Sequence, residues 1–200
     1  MRTTCLLCLS TLLFLTLGCE HKKAPIVDPA PIEQDFSCIK LFDEQGVPRG
    51  IHGCSSSSDW EQITLNASEN AFLNFSDTVS LDGTVAAAIT QVATYPSPVK
   101  IAAPLAISLR GTTPDQAVKL KIAIVDDSLN VVWQIALRTE TNGGLLLYMD
   151  PTKFEAGKYY RMYYRVSAKG APSLFEGYGN FLVCKTEINW VNTTIEPDCF

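Results

Sequence analysis

Apolar and polar residues alternate with a period of two over most of the chain's second half. That is the spacing of a half-buried β-strand, whose successive side chains point to opposite faces. Val99, Ile101, Ala103, Leu105, Ile107 and Leu109 alternate with Lys100, Ala102, Pro104, Ala106, Ser108 and Arg110. Val118, Leu120, Ile122 and Ile124 alternate with Lys119, Lys121 and Ala123, and Asp126-Asp127-Ser128-Leu129-Asn130 reads as a hairpin turn into Val131, Trp133, Ile135 and Leu137. Leu145, Leu147 and Met149 extend the inward set. No stretch keeps a 3.6-residue apolar period with caps, so helix is expected to be scarce. Residues 36 to about 80 are patterned more loosely, with Gln62-Ile63-Thr64-Leu65 and the stretch from Ala71 to Leu81 reading as strands. The expectation is an all-β chain.

The first residues follow a different pattern. Arg2 precedes an apolar run (Cys5, Leu6, Leu7, Cys8, Leu9, Leu12, Leu13, Phe14, Leu15, Leu17) with no charge before Glu20. A bilayer core takes about 20 apolar residues to cross, more than this run supplies. A basic start, a short apolar stretch and a small residue at its end are the parts of a secretory signal. Leu15-Thr16-Leu17-Gly18-Cys19 resembles the lipobox of bacterial lipoproteins. The resemblance implies a diacylglyceryl thioether on Cys19, cleavage before it and acylation of its new amine. Thr16 stands where that family most often has Leu. Glu20, in place of the Asp associated with inner-membrane retention, implies the outer membrane of the cell envelope. The expected organisation is a signal peptide over 1–18, the lipidated Cys19 with a proline-containing tether over 19–35, a disulfide-bonded β extension over 36–80 and a β-sandwich over 81–200. Pro25, Pro29 and Pro31 keep the tether extended, and about 15 residues at roughly 3 Å each hold the fold some tens of ångströms from the membrane.

With Cys5 and Cys8 lost in the signal and Cys19 acylated, Cys38, Cys54, Cys184 and Cys199 remain. An even number of cysteines in an exported chain reads as two disulfides. Three pairings are possible. The sequential one, Cys38–Cys54 with Cys184–Cys199, is preferred because it closes two short loops, around Gln45-Gly46 and around Asn192-Thr193-Thr194. Cys38–Cys199 with Cys54–Cys184 would instead tie the ends of the domain together. The sequence holds no CxxC pair and only His21 and His52 as imidazoles, so neither a metal site nor a cofactor is expected. The 200 residues carry 16 basic and 21 acidic side chains, a net charge of -5, and loss of Arg2 leaves -6 (-5 minus 1). That balance argues against nucleic acid as a partner, since such affinity comes from cations neutralising phosphates.

Phe154-Glu155-Ala156-Gly157-Lys158-Tyr159-Tyr160 narrows the fold. The segment resembles the corner before the sixth strand of immunoglobulin-like and fibronectin type III sandwiches. An apolar residue six places before a tyrosine, with a glycine between, lets that tyrosine's hydroxyl bond back to the corner backbone. Phe154, Gly157 and Tyr160 hold those places. The implied fold is an immunoglobulin/fibronectin III-like antiparallel β-sandwich with a small disulfide-bonded N-terminal extension. Cys184 lies in the last strand and not beside the corner, so the fibronectin branch fits better than a true immunoglobulin domain.

If Tyr160, Met162, Tyr164 and Val166 point inward, then Tyr159, Arg161, Tyr163 and Arg165 point outward beside Lys119 and Lys121 of a neighbouring strand. Such a face is cationic and aromatic on an acidic protein. It suits a protein partner, an anionic polymer or stacked sugar rings. The competing reading is an ordinary solvated strand, or a face covered by residues 36–80. His52 with Ser55 to Ser58 and Asp59 offers no nucleophile elbow, so no catalytic residues are assigned. Asp126, Asp127 and Asn130 form a turn too short for a calcium loop. The glycosylation-like Asn66, Asn74 and Asn192 tripeptides are read as chance behind a lipobox. The function expected is therefore a non-catalytic, lipid-anchored envelope protein acting as an interaction or assembly module, with carbohydrate capture at the surface as the alternative.

Overall fold

Eleven elements follow in chain order: β1 (Ile39–Phe42), β2 (Pro48–His52), α1 (Ala67–Ala71), β3 (Ile89–Tyr95), β4 (Val99–Lys100), β5 (Pro104–Gly111), β6 (Ala117–Val125), β7 (Val131–Glu140), β8 (Gly144–Tyr148), β9 (Lys158–Ala168) and β10 (Ala171–Cys184). They come from a computed structural model that describes residues 32, 35–57, 59–113, 115–188 and 199. The signal, Cys19, most of the tether and the Asn192-Thr193-Thr194 turn lie outside the described residues. A five-stranded sheet in the order β4-β10-β9-β6-β7 packs on a three-stranded sheet, β3-β5-β8, while β1 and β2 pair as a hairpin. The chain is an all-β sandwich, as expected. Its pairs are antiparallel except for β4, which runs parallel to the end of β10 through Val99↔Val183.

Inward rows meet between the sheets. Val118, Leu120, Ile122 and Ile124 of β6, Tyr160, Met162, Tyr164 and Val166 of β9, and Phe175, Phe181 and Val183 of β10 share one core with Val92, Leu105, Ile107, Leu109 and Leu147 of the smaller sheet. The branched and aromatic residues that dominate these rows suit a pleated, half-buried surface. Asp126 closes the β6–β7 hairpin, its Oδ1 accepting from the N–H groups of Ser128 at 3.0 Å and Asn130 at 2.8 Å.

The corner forms as its spacing implied. Glu155 N–H donates to the Tyr160 hydroxyl at 2.8 Å, and the Tyr160 ring meets Phe154 edge-on with centroids 5.2 Å apart. Gly157 turns the chain at a φ of 83°, where a side chain would be strained, and its N–H donates to Val183 O at 2.8 Å. Both disulfides follow the sequential pairing, Cys38–Cys54 and Cys184–Cys199.

Two expectations change. The run from Val99 to Leu109 is not one strand: a turn at Ile101–Ala103, with Ala102 at a φ of 59°, splits β4 in the large sheet from β5 in the small one. Both halves bury the same alternate residues, so the run keeps its period across the change of sheet. Residues 62–65 and 71–81, expected as strands, form instead irregular backbone on either side of α1, which takes in Ala71. α1 is started by a capping box, in which Asn66 Oδ1 accepts from Glu69 N–H at 3.0 Å while Glu69 Oε2 accepts from Asn66 N–H at 2.8 Å.

Replacing Tyr160 with Phe removes the corner hydrogen bond without changing ring volume. The variant is expected to lose about 0.5–1.5 kcal/mol in urea denaturation with an unchanged slope; an unaltered midpoint would dismiss the corner as a stabilising contact.

Candidate functional site

The outward face of the large sheet is where the sequence placed a partner surface, and the strand register assembles the predicted residues there. Lys121 stands opposite Arg165, and Arg165 opposite Glu176; Ala123 stands opposite Tyr163, and Tyr163 opposite Tyr178; Val125 stands opposite Arg161, and Arg161 opposite Asn180. The prediction that they are exposed fails. Arg161 is 1% exposed and Tyr163 0%. Segments around residues 35–41 and 65–77 lie across the face and bury it, which is the covered arrangement the sequence left open as a competing reading.

Two small cores form under this cover. Phe36, Leu65 and Leu73 pack on Ala123, Val125 and Tyr163, and Ile39 and Leu41 pack on Leu182 and the Cys184–Cys199 pair. The Tyr163 ring stacks on Phe72 with centroids 5.1 Å apart. Burial pushes its hydroxyl up to about 12, against the lowering influence of Arg161. The Arg161 guanidinium lies between two rings, 4.2 Å from the Phe36 centroid and 4.3 Å from that of Tyr178. Its Nε donates to Asn180 Oδ1 at 2.7 Å and a terminal nitrogen to the Asp35 carbonyl at 3.2 Å. Asn180 Nδ2 in turn donates to the Cys38 carbonyl at 3.0 Å. An arginine stacked this way exchanges hydration for ring faces, an interaction that reaches about 2 kcal/mol when desolvated.

The other predicted residues are also engaged. Tyr159 is half-buried, its hydroxyl 3.4 Å from His52 Nε2. Arg165 Nε donates to Glu176 Oε2 at 2.9 Å and a terminal nitrogen donates to Asn70 Oδ1. Lys119 and Lys121 share Asp77, at 3.3 and 2.9 Å, and Lys121 also donates to Phe75 O at 2.6 Å. The surviving open part of the face is a groove of about 490 Å³ where Lys119, Lys121, Arg165 and Lys169 meet the loop at Leu81–Gly83. Asp77 and Glu176 offset two of its four cations.

Sequence reasoning missed Asp77, Glu176 and Trp60, and weighed Asp59 only as a hydrolase residue. The signal for Trp60 was present in Gly177-Tyr178-Gly179, because glycine inside a strand marks close approach. A Cβ on Gly179 would fall 2.1 Å from the Trp60 indole, and one on Gly177 would fall 2.4 Å from Glu61 O. Trp60 N–H donates to Tyr178 O and Ile63 N–H to Glu176 O, both at 2.9 Å, so this segment runs along the edge of β10. Against the small sheet a mainly apolar groove of about 470 Å³ is walled by Tyr95, Pro96, Pro98, Ala106, Leu146 and Ile188, and is lined also by Glu44 and by the Lys100–Glu187 ion pair.

No family model matches the chain, and no curated protein matches it.

Asp59 supplies a test of the cover. It is 2% exposed, lines a cavity of about 120 Å³ beside Arg161, and its Oδ2 has no hydrogen-bond partner. Burial raises its carboxyl to about 6, against lowering bonds from Asn180 N–H and Ser57 and the charge of Arg161. The folded value lies above the unfolded value near 3.9, so the folded state holds the proton more tightly. The stability this group contributes is therefore full below about pH 4 and is lost as the pH rises through about 6. Asp77 acts in the opposite sense: its bond from Lys121, with help from Val79 N–H and Lys119, holds it below its ordinary value. Its contribution is present above the unfolded pKa and lost on acidification. Asp59→Asn removes only the first effect. The variant is expected to be more stable than the parent by about 1–3 kcal/mol at pH 7.5 and nearly equal to it at pH 4. Thermal or urea unfolding at the two pH values checks this, and a gain of the same size at both would refute it.

Proposed function

We propose that this protein is a non-catalytic, lipid-anchored component of the cell envelope, held at the outer membrane by acyl chains on Cys19, and that it works as an interaction module. Residues 1–18 are removed on export, and residues 19–35 tether a β-sandwich whose N-terminal extension is its cover. The two disulfides support an oxidising compartment outside the cytoplasm. Two or three acyl chains, each burying many methylenes at about 0.8 kcal/mol apiece, anchor a protein stably.

The observation that carries the interaction reading is the contrast between the two outer faces. The cationic and aromatic face is used in folding. The small sheet, by contrast, presents Leu146 and Tyr148 to solvent beside the apolar groove at Tyr95 and Pro98. Exposed apolar surface of this kind marks contact sites for other molecules. Glycan capture by Tyr159 and Tyr163 is not proposed, since Tyr163 has no exposed face to stack on a sugar.

Cys19→Ala is expected to abolish incorporation of an alkyne-palmitate analogue and to accumulate the precursor that retains residues 1–18. Labelling that continued in this variant would sink the anchor assignment.

A further inference from the structure

The small sheet ends at β8, and among the described residues no strand pairs with that strand's other edge. Soluble proteins usually protect such an edge with charge, proline or a bulge. Gly144-Leu145-Leu146-Leu147-Tyr148 carries neither charge nor proline, and its pairing with β5 runs from Ser108↔Gly144 to Pro104↔Tyr148 without a shift. Leu146 is 73% exposed and Tyr148 is 55% exposed. The three residues Thr141-Asn142-Gly143 join β7 to β8, so the free edge of β7 lies on the same side of the sandwich. There Trp133, Ile135 and Leu137 pack on the core yet stay only half-buried.

We propose that a second copy of this chain occupies this side, its β8 adding antiparallel to β8 about a two-fold axis at Leu146. The choice of occupant rests on how the strand pairs with itself. In this register Leu146 meets the second copy's Leu146, Leu145 meets Leu147 on the inner face, and Gly144 lies under Tyr148 on the outer face. Large aromatic rings over edge glycines are a favourable cross-strand combination. The charges agree with the same register. Asp150 falls opposite Asn142 and Glu140 opposite Thr152, so no two acids oppose one another although each chain carries a net charge of -5. The main-chain bonds supply the attraction and the leucine pairs fix the register. Approach along this edge also covers the half-buried row of β7.

This inference rests on reading the small-sheet side as the interaction surface, and it does not require the lipid. The full chain, purified in detergent, tests it through single cysteines. Directly opposed residues have Cβ atoms about 4.5–5.5 Å apart, within reach of a disulfide after slight adjustment. Leu146→Cys is therefore expected to give a covalent dimer on mild oxidation, with both native disulfides intact by mass spectrometry. Tyr148→Cys lies four residues from its own copy, about 13 Å along the strand, and is expected to cross-link at least about ten-fold more slowly. Leu146→Lys, an exposed change that leaves the core untouched, is expected to raise the dimer dissociation constant in sedimentation by at least about ten-fold. A strictly monomeric parent at 100 micromolar (a concentration chosen on the order of weak interface constants), or equal cross-linking at both positions, overturns the dimer. Acyl labelling of Cys19 in the same samples separates failure of the dimer from failure of the anchor.

Discussion

The covered face depends on one desolvated cation. Arg161 projects from the middle of β9 on the side away from the main core, and its guanidinium is closed in by Phe36, Tyr178, Asn180 and the Asp35 carbonyl. Removing an arginine from water costs several kcal/mol unless its donors and ring-facing surfaces are supplied. Half of those groups come from residues 35–38, far from β9 in sequence, and half from β10 beside it. The N-terminal segment is thus a required wall of the site. Once Phe36 is fixed there, the Ile39–Phe42 strand and its disulfide-bonded hairpin are placed over β10, and Trp60 can cross its edge to lie against Gly179.

Much of the sandwich was legible in the sequence because it follows from local rules. Strand alternation located β5, β6, β7, β8 and β9, the spacing of Phe154, Gly157 and Tyr160 located the corner, and export logic located two disulfides. The candidate site was misread for a specific reason. A period of two separates a strand's faces but does not say what covers the second one. Tyr and Arg are ambiguous at such positions, since each has a large apolar surface and a polar end. The disambiguating residues sat in the neighbouring strands: Ala123, Val125 and Leu182 hold outward positions with nothing polar to offer water. The split of Val99 to Leu109 between sheets left no such trace, because both halves keep the same inward row.

The charges on the covered face divide into one buried cation and several partly buried ion pairs. Arg161 donates to the Asn180 amide and the Asp35 carbonyl and lies between two rings, with the Asp59 carboxyl in the same cavity; at Arg165 the partner is Glu176, and at Lys119 and Lys121 it is Asp77. This division follows solvent access, since Arg161 is 1% exposed while the side chains of the Arg165–Glu176 and Lys121–Asp77 pairs are 11% to 20% exposed. Where water is excluded, a second charge would bring its own desolvation cost, as Asp59 does with its carboxyl raised to about 6. Nearer the open groove, long lysines can place their ammonium groups at the rim and accept carboxylates at lower cost.

The two sheets therefore meet solvent on unequal terms. The large sheet packs its outer aromatic residues under a cover that starts at Asp35 and Phe36. On the proposed anchor, the molecule offers a partner the surfaces the cover leaves free. Besides the cationic groove at Lys119 and Lys169, those include the small sheet and the side where β7 and β8 both run out. Three strands cannot shield five, and the shortfall falls on β7, whose Trp133, Ile135 and Leu137 are apolar yet half-buried. Apolar area left in water at the rim of a core favours any arrangement that removes it, at about 25 cal/mol per Å². The absence of charge from β8 leaves that pull unopposed on an edge where, among the described residues, main-chain pairing is also open, so the sheet inequality that exposes the row favours this place for a contact.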